Sequence, residues 1–111
     1  MTLKIRNADK TDIKNLVEFA FRKPPVLNQK LFDDFDEILT QTGYHLLIAE
    51  IDGKLSGMLA VSIIGGIGVK YPFAVLSGGK LSKQAGENGV GDALIKHAEE
   101  IARKFGCKYI I

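Results

Sequence analysis

Residues 73–111 read FAVLSGGKLSKQAGENGVGDALIKHAEEIARKFGCKYII, and the way this stretch divides decides the fold. Phe73 to Leu81 can form a strand, with Gly78-Gly79 marking a bulge or a close backbone approach. Gly86, Gly89 and Gly91 follow within a few residues, with the acidic Glu87 among them. From Gly89 to Phe105, the residues Val90, Leu94, Ala98, Ile101 and Phe105 recur on one helical face, widened by Ala93 and Ala102. Glu99 with Arg103 and Glu100 with Lys104 add favourable pairs one turn apart. Gly106 suits a C-terminal cap, and Cys107 to Ile111 reads as a last strand. Strand, glycine loop, helix and strand in that order make a parallel crossover the natural connection.

Upstream, YHLLIAEI (44–51) and KLSGMLAVSII (54–64) flank Asp52-Gly53. An Asp-Gly pair tolerates the positive φ angles of a tight hairpin, so the two runs are expected to pair antiparallel. GGIGVKYP (65–72) breaks the pattern as a loop. Thr2 to Arg6 (TLKIR) alternates as a short half-buried strand. Asp9 or Thr11 can cap the helix that follows, in which Ile13, Leu16, Val17 and Ala20 share a face. Pro24-Pro25 stops that helix, because proline lacks a donor and restricts its predecessor. Asn28 to Gln41 forms a second amphipathic helix with Leu31, Phe35, Ile38 and Leu39 facing inward. Its Asp33, Asp34, Asp36 and Glu37 read as a solvated acidic face, since the spacing of a calcium loop is absent. The whole predicts an α/β (α+β) fold: a mixed, mostly antiparallel sheet with helices on both faces, as a single domain over residues 1–111.

Composition narrows the function. Fifteen lysines and arginines against thirteen acidic residues leave a net charge of +2, and the basic residues are spread along the chain. That excludes a nucleic-acid stripe. The longest apolar run, Lys54 to Val69, is interrupted by four glycines and falls short of the roughly 20 residues a membrane span needs. The single cysteine, Cys107, can form neither an internal disulfide nor a multi-cysteine zinc site, and no other metal constellation is visible. A reducing, cytoplasmic setting is expected.

Three pieces of the chain carry a family resemblance: LKIRNADKTDIKNL (3–16), LLIAEIDGKLSGMLAV (46–61) and LSKQAGENGVGDALIKHAEEIARKFGCKYII (81–111). Taken in order, they resemble the first strand and helix, the central hairpin, and the acetyl-CoA motif with its helix and fifth strand of the GNAT N-acetyltransferases. The resemblance implies acetyl-CoA as co-substrate, acetyl transfer to a primary amine, and no metal. Backbone amides at the start of a helix converge on an anion and the helix dipole adds positive charge, while glycine lets the backbone approach closely. The implied cofactor residues are therefore Lys80, Leu81, Gly86, Glu87, Asn88, Gly89, Val90, Gly91 and Asp92. Lys80-Leu81 would end the strand that pairs with the pantetheine arm. In the family's signature of Gln or Arg, two residues, Gly, one residue, Gly or Ala, Gly86 stands at the first position and Gly89 and Gly91 at the small ones. Glu87 places a negative charge in the loop, and Ser77 stands where many members carry a glutamate base. The resemblance reaches the fifth strand at Ile111, so the family's further helix, two strands and thiolate-protonating tyrosine are expected to be missing.

Candidate catalytic residues are His45 and Glu50 as bases, and Tyr71 or Tyr109 as donors to a departing thiolate. His97 and Cys107 are read as structural. Two functions follow from these residues: an N-acetyltransferase acting on an amine acceptor, or a catalytically degenerate module that retains CoA binding or protein interaction. The apolar run Tyr109-Ile110-Ile111 at a sheet edge predicts a homodimer through that edge.

Overall fold

Asp52, with φ of 50°, and Gly53, with φ of 81°, turn the chain between β2 (Tyr44–Ile51) and β3 (Lys54–Ile64). Both angles are those the Asp-Gly pair was expected to supply. In the computed structural model, which describes residues 1–65 and 70–111, this hairpin is the centre of a five-stranded sheet of order β1-β2-β3-β4-β5. β1 (Leu3–Asn7) pairs antiparallel with β2, and β4 (Phe73–Leu81) antiparallel with β3. β5 (Tyr109–Ile110) runs parallel to β4, opposite Phe73 and Ala74, and is shorter than the five residues expected of it. Residues 66–69 of the expected loop 65–72 lie outside the described residues.

The sheet is irregular at two places. Ser56 is the extra residue on β3 between the pairs Ala49–Gly57 and Glu50–Leu55. On β4, Gly78 and Gly79 together oppose Leu59, with Gly78 at φ of 63°, a conformation open to glycine. The bulge expected at the two glycines is therefore present.

Helices cover both faces. A 3-10 turn (Lys10–Asp12) leads into α1 (Ile13–Ala20), followed by α2 (Gln29–Leu39). Of the two expected caps Asp9 is the one used, and its side chain accepts from the amide of Thr11. Asn28 caps α2 through the amide of Leu31. Leu16 of α1 packs with Leu46, Ile48 and Ala60, and Phe35, Leu39 and Met58 close this smaller core. Ile38, expected inside, is 43% exposed, because only the Leu31–Phe35–Leu39 side of α2 reaches the sheet.

The larger core lies on the other face. There Leu47, Ala49, Ile51, Leu59, Val61 and Ala74 meet Val90, Leu94, Ala98, Ile101 and Ala102 of α4 (Val90–Lys104). Phe105 departs from the expected stripe: it follows the last helical residue and is 42% exposed. Gly106, at φ of 74°, ends the helix as expected. The region read as an open glycine loop holds a further short helix, α3 (Lys83–Glu87). Ser82 caps it by accepting from the Ala85 amide, and the fully buried Ala85 anchors it. Burial of that one alanine and a good cap outweigh the poor helix propensity of Gly86.

The charged element of the fold is centred on Arg6. Its Nε donates to Glu50 across β1 and β2 at 2.7 Å, and its terminal nitrogens donate to both carboxylate oxygens of Asp12 at 2.8 and 2.7 Å. Asp12 also accepts from the Asp9 amide, completing a capping box. The hydrogen bond from Arg6 is the largest cause holding the Asp12 carboxyl below its ordinary value of 3.8. A depressed carboxyl stabilises the fold above that ordinary value, and the contribution is lost as pH falls through the folded value. Arg6→Ala leaves the buried Asp12 charge without its partner and is expected to cost about 3 kcal/mol. Urea unfolding at pH 7 measures that loss, and the variant should be less sensitive to acid below pH 4 than the parent.

Candidate functional site

The end of β4 and the beginning of α4 meet through three close backbones. A Cβ on Gly57 would lie 2.9 Å from Leu81 Cδ2 and 3.2 Å from Leu94 Cδ1, and one on Gly91 would lie 3.1 Å from Leu81 Cδ1. Leu81 thus fits between β3 and α4 only because both facing residues lack a side chain. The Ser82 amide donates to the carbonyl of the bulged Ser56 at 2.8 Å and fixes the turn out of β4.

Beside Leu81 the surface opens into a cleft of about 350 Å³, walled by Gly79, Lys80 and Leu81 of β4, Met58 and Leu59 of β3, and Gly91, Leu94 and Ile95 of α4. The walls are mostly apolar. β5 pairs only with the first part of β4, so among the described residues the outer edge of Ser77–Lys80 has no ladder partner. Gly89, at φ of 72°, forms the left-handed corner from which α4 starts, and no side chain caps that helix. The amides of Gly91 and Asp92 stand where a helix has no internal acceptor, and Ala93 is the first to bond back, to Gly89 at 3.2 Å. An uncapped helix start at the rim of an apolar slot can take an anionic group, with a slender chain lying along the open strand edge.

Of the residues the sequence pointed to, Lys80, Leu81 and Gly91 line the cleft. Gly89 and Asp92 lie at the start of α4, and Val90 between them is fully buried, so only its backbone can face a ligand. Gly86 is placed differently from the expected cradle. Its amide donates to the Ser82 carbonyl inside α3, which leaves it no free donor for an anion. Asn88 is held back against α3 as well, its side chain donating to the Gln84 carbonyl at 2.7 Å. Glu87 is exposed at the end of α3. Met58, Leu59, Gly79, Leu94 and Ile95 are cleft residues that motif spacing did not mark as such. The Gly78-Gly79 pair was the available signal, because a bulge re-aims the side chains beyond it.

None of the four catalytic candidates lines the cleft. Glu50 is engaged with Arg6. His45 packs edge-on against Phe105, with ring centroids 5.4 Å apart, at the other end of α4 and roughly 20 Å from Gly91 at about 1.5 Å per residue. Its Nε2 is buried with no hydrogen-bond partner among the described residues, and burial pushes its pKa below 6.5. Tyr109 pairs with Phe73, which puts it about 20 Å along β4 from Gly79. Tyr71 lies near that end too, with Lys108 Nζ 4.6 Å from its ring centroid. Ser77 is exposed on the α1 and α2 side, opposite Ala60. Burial raises the Cys107 thiol pKa, which keeps it protonated. Among the described residues no group of three or more histidines, cysteines and carboxylates could hold a metal ion.

The sequence profile of the acetyltransferase (GNAT) family matches residues 11–111. The chain belongs to the GNAT acetyltransferase family. Solved structures with the same fold include a glucosamine-6-phosphate N-acetyltransferase from Arabidopsis thaliana, 17% identical, with a TM-score of 0.86 over 100% of this chain and 81% of that one. A transcriptional regulator from Bacillus halodurans is 23% identical, with a TM-score of 0.85 over 98% of this chain and 79% of that one. A Trypanosoma brucei acetyltransferase is 18% identical, with a TM-score of 0.85 over 99% and 81% of the two chains. A comparison with curated protein sequences gives no match. The cleft in this GNAT domain lies between the end of β4 and the first turns of α4.

The tight fit of Leu81 is testable without a ligand. Gly57→Ala places a methyl group 2.9 Å from Leu81 Cδ2 and is expected to destabilise by about 1 kcal/mol, the low end for overpacking, because the partly exposed Leu81 can yield toward solvent. Gly79→Ala is the control, because its Cβ would sit at an ordinary 3.7 Å from Leu59. Equal urea midpoints for the two variants would contradict the close approach.

Proposed function

We propose that this GNAT domain binds acetyl-CoA in the cleft between β4 and α4 and transfers the acetyl group to a primary amine. The single observation that carries the proposal is the apolar cleft running along the open edge of β4 to the uncapped start of α4. In this reading the diphosphate meets the amides of Gly89, Val90, Gly91 and Asp92, and the pantetheine arm lies against Gly79, Lys80 and Leu81. Glu87 and Asp92 oppose an anion there, but both are exposed, and salt screens such repulsion at the surface.

The amine nitrogen bonds to the thioester carbonyl carbon, the carbon–sulfur bond breaks, and the sulfur leaves as a thiolate that takes up the proton released by nitrogen. Among the described residues no carboxylate or imidazole lines the cleft. Positioning of a neutral amine therefore supplies the rate, as holding two reactants together can. The exposed Ser77 supports a second reading, in which CoA binds without turnover.

Calorimetry with CoA decides the binding step: heat is expected from the parent and at least a tenfold weaker affinity from Gly91→Leu, which crowds Leu81. No heat with either acetyl-CoA or CoA would overturn the reading. Thiol release with a panel of amines then separates transfer from bare binding.

No helix among the described residues is long and apolar enough to cross a membrane, and a cytoplasmic location is proposed from the lone Cys107. The exposed Tyr109, Ile110 and Ile111 along β5 support pairing of two copies at this edge. Light scattering should give twice the chain mass, and a monomeric mass at high concentration would refute the homodimer.

A further inference from the structure

Lys80 carries the one amine, and the one titratable group, in the wall of the cleft among the described residues; its other walls are aliphatic side chains, a methionine and glycines. It is exposed near the end of β4, where the outer strand edge has no ladder partner among the described residues. No carboxylate holds its ammonium: none of the ion pairs among the described residues includes it. Nζ lies instead 5.6 Å from the centroid of Phe19 on α1. A cation–π contact of that length at an exposed site is weak, and the flexible four-carbon stem of lysine lets Nζ swing from the ring to the strand edge. Lys54 on β3, Lys83 on α3 and Lys96 on α4 are exposed as well, but none of them lines the cleft.

Resting on the transferase reading above, we propose that Lys80 is a self-acetylation site: acetyl-CoA bound in the cleft passes its acetyl group to Lys80 Nζ of the same chain. In that reading the diphosphate sits at the start of α4 and the arm runs back along β4, so the thioester lies at the open edge that Lys80 flanks. The neutral amine attacks the carbonyl carbon, and the carbon–nitrogen bond forms as the carbon–sulfur bond breaks. The proton lost by nitrogen goes to the departing thiolate, and the products are N-acetyllysine and free CoA. Two reactants held in one cleft react as one molecule, an advantage that needs no carboxylate or imidazole in the wall. The reaction limits itself. Acetylation removes the charge of Lys80 and with it the attraction to Phe19, and leaves a neutral amide that cannot accept a second acetyl group from the thioester.

The test incubates the full chain with acetyl-CoA and follows acetylation lysine by lysine through peptide mass spectrometry. Lys80 is expected to react at least about tenfold faster than Lys83, its exposed neighbour outside the cleft, as positioning allows. The rate should saturate with acetyl-CoA, fall in excess CoA and stay unchanged when the protein is diluted. Lys80→Arg should abolish the fast phase and leave the slow acetylation of the other lysines as in the parent. Gly91→Leu, at the acetyl-CoA concentration that saturates the parent, should erase the advantage of Lys80 over Lys83. Equal rates at Lys80 and Lys83, a rate that falls with protein dilution, or fast acetylation of Lys80 that survives Gly91→Leu would overturn the proposal. Absence of heat with CoA and acetyl-CoA would overturn the transferase reading instead. CoA binding, or transfer to free amines, without modification of Lys80 would overturn self-acetylation alone, so the two failures are distinguishable.

Discussion

Leu81 is the point on which the arrangement turns. It ends β4 and takes the space left by the missing side chains of Gly57 and Gly91, with Leu94 also close to Gly57. A larger residue at either glycine would push the helix start and the sheet apart. With Leu81 seated, the carbonyl of Ser56 holds the Ser82 amide and Ser82 caps α3. The buried Ala85 and Val90 then bring α4 down on the sheet with its first turn free. Contact between an aliphatic side chain and two bare backbones therefore positions the polar groups of the site, which carry no direct tether of their own.

The two faces of the sheet are built to different standards. On one, α4 contributes five buried residues to a continuous core. On the other, α2 contributes no fully buried residue, and α1 is pinned through the 3-10 turn by the Arg6–Asp12–Glu50 network. A bidentate guanidinium–carboxylate pair is directional where apolar packing is not. It fixes the angle at which α1 leaves the sheet, while Ile13, Leu16 and Val17 bury the inner side of that helix.

Legibility from sequence followed the range of the forces involved. The Asp52-Gly53 hairpin, the irregularity at Gly78-Gly79, a cap at Asp9 or Thr11 and the long helix were readable because each is set by neighbours in sequence. The family resemblance carried by three segments of the chain agreed with the matched profile over residues 11–111. The short helix Lys83–Glu87 was not readable, since glycine at position 86 argues against a helix and the burial of Ala85 comes from residues distant in sequence. That error matters for the site, because it assigned Gly86 an amide that the helix has already used. The pairing of Glu50 with Arg6 spans strands 44 residues apart, and no periodicity announces it. Met58 was legible as a strand residue, but its place in the cleft wall depends on how β3, β4 and α4 come together.

The bulge on β4 has a consequence for how this strand compares with its relatives. Before it, Ala74 and Leu76 face α4; a strict alternation would send Lys80 the same way and Leu81 toward α1. The glycine pair takes up one extra residue against Leu59, so the alternation is inverted beyond it, with Leu81 against α4 and Lys80 over Phe19. Gly78-Gly79 thus acts as a phase shifter in the strand. Loss of one glycine would exchange the side chains offered to the two faces without altering any of them. Position-by-position alignment with a family member that lacks the bulge, or carries it one residue away, would pair side chains that point in opposite directions.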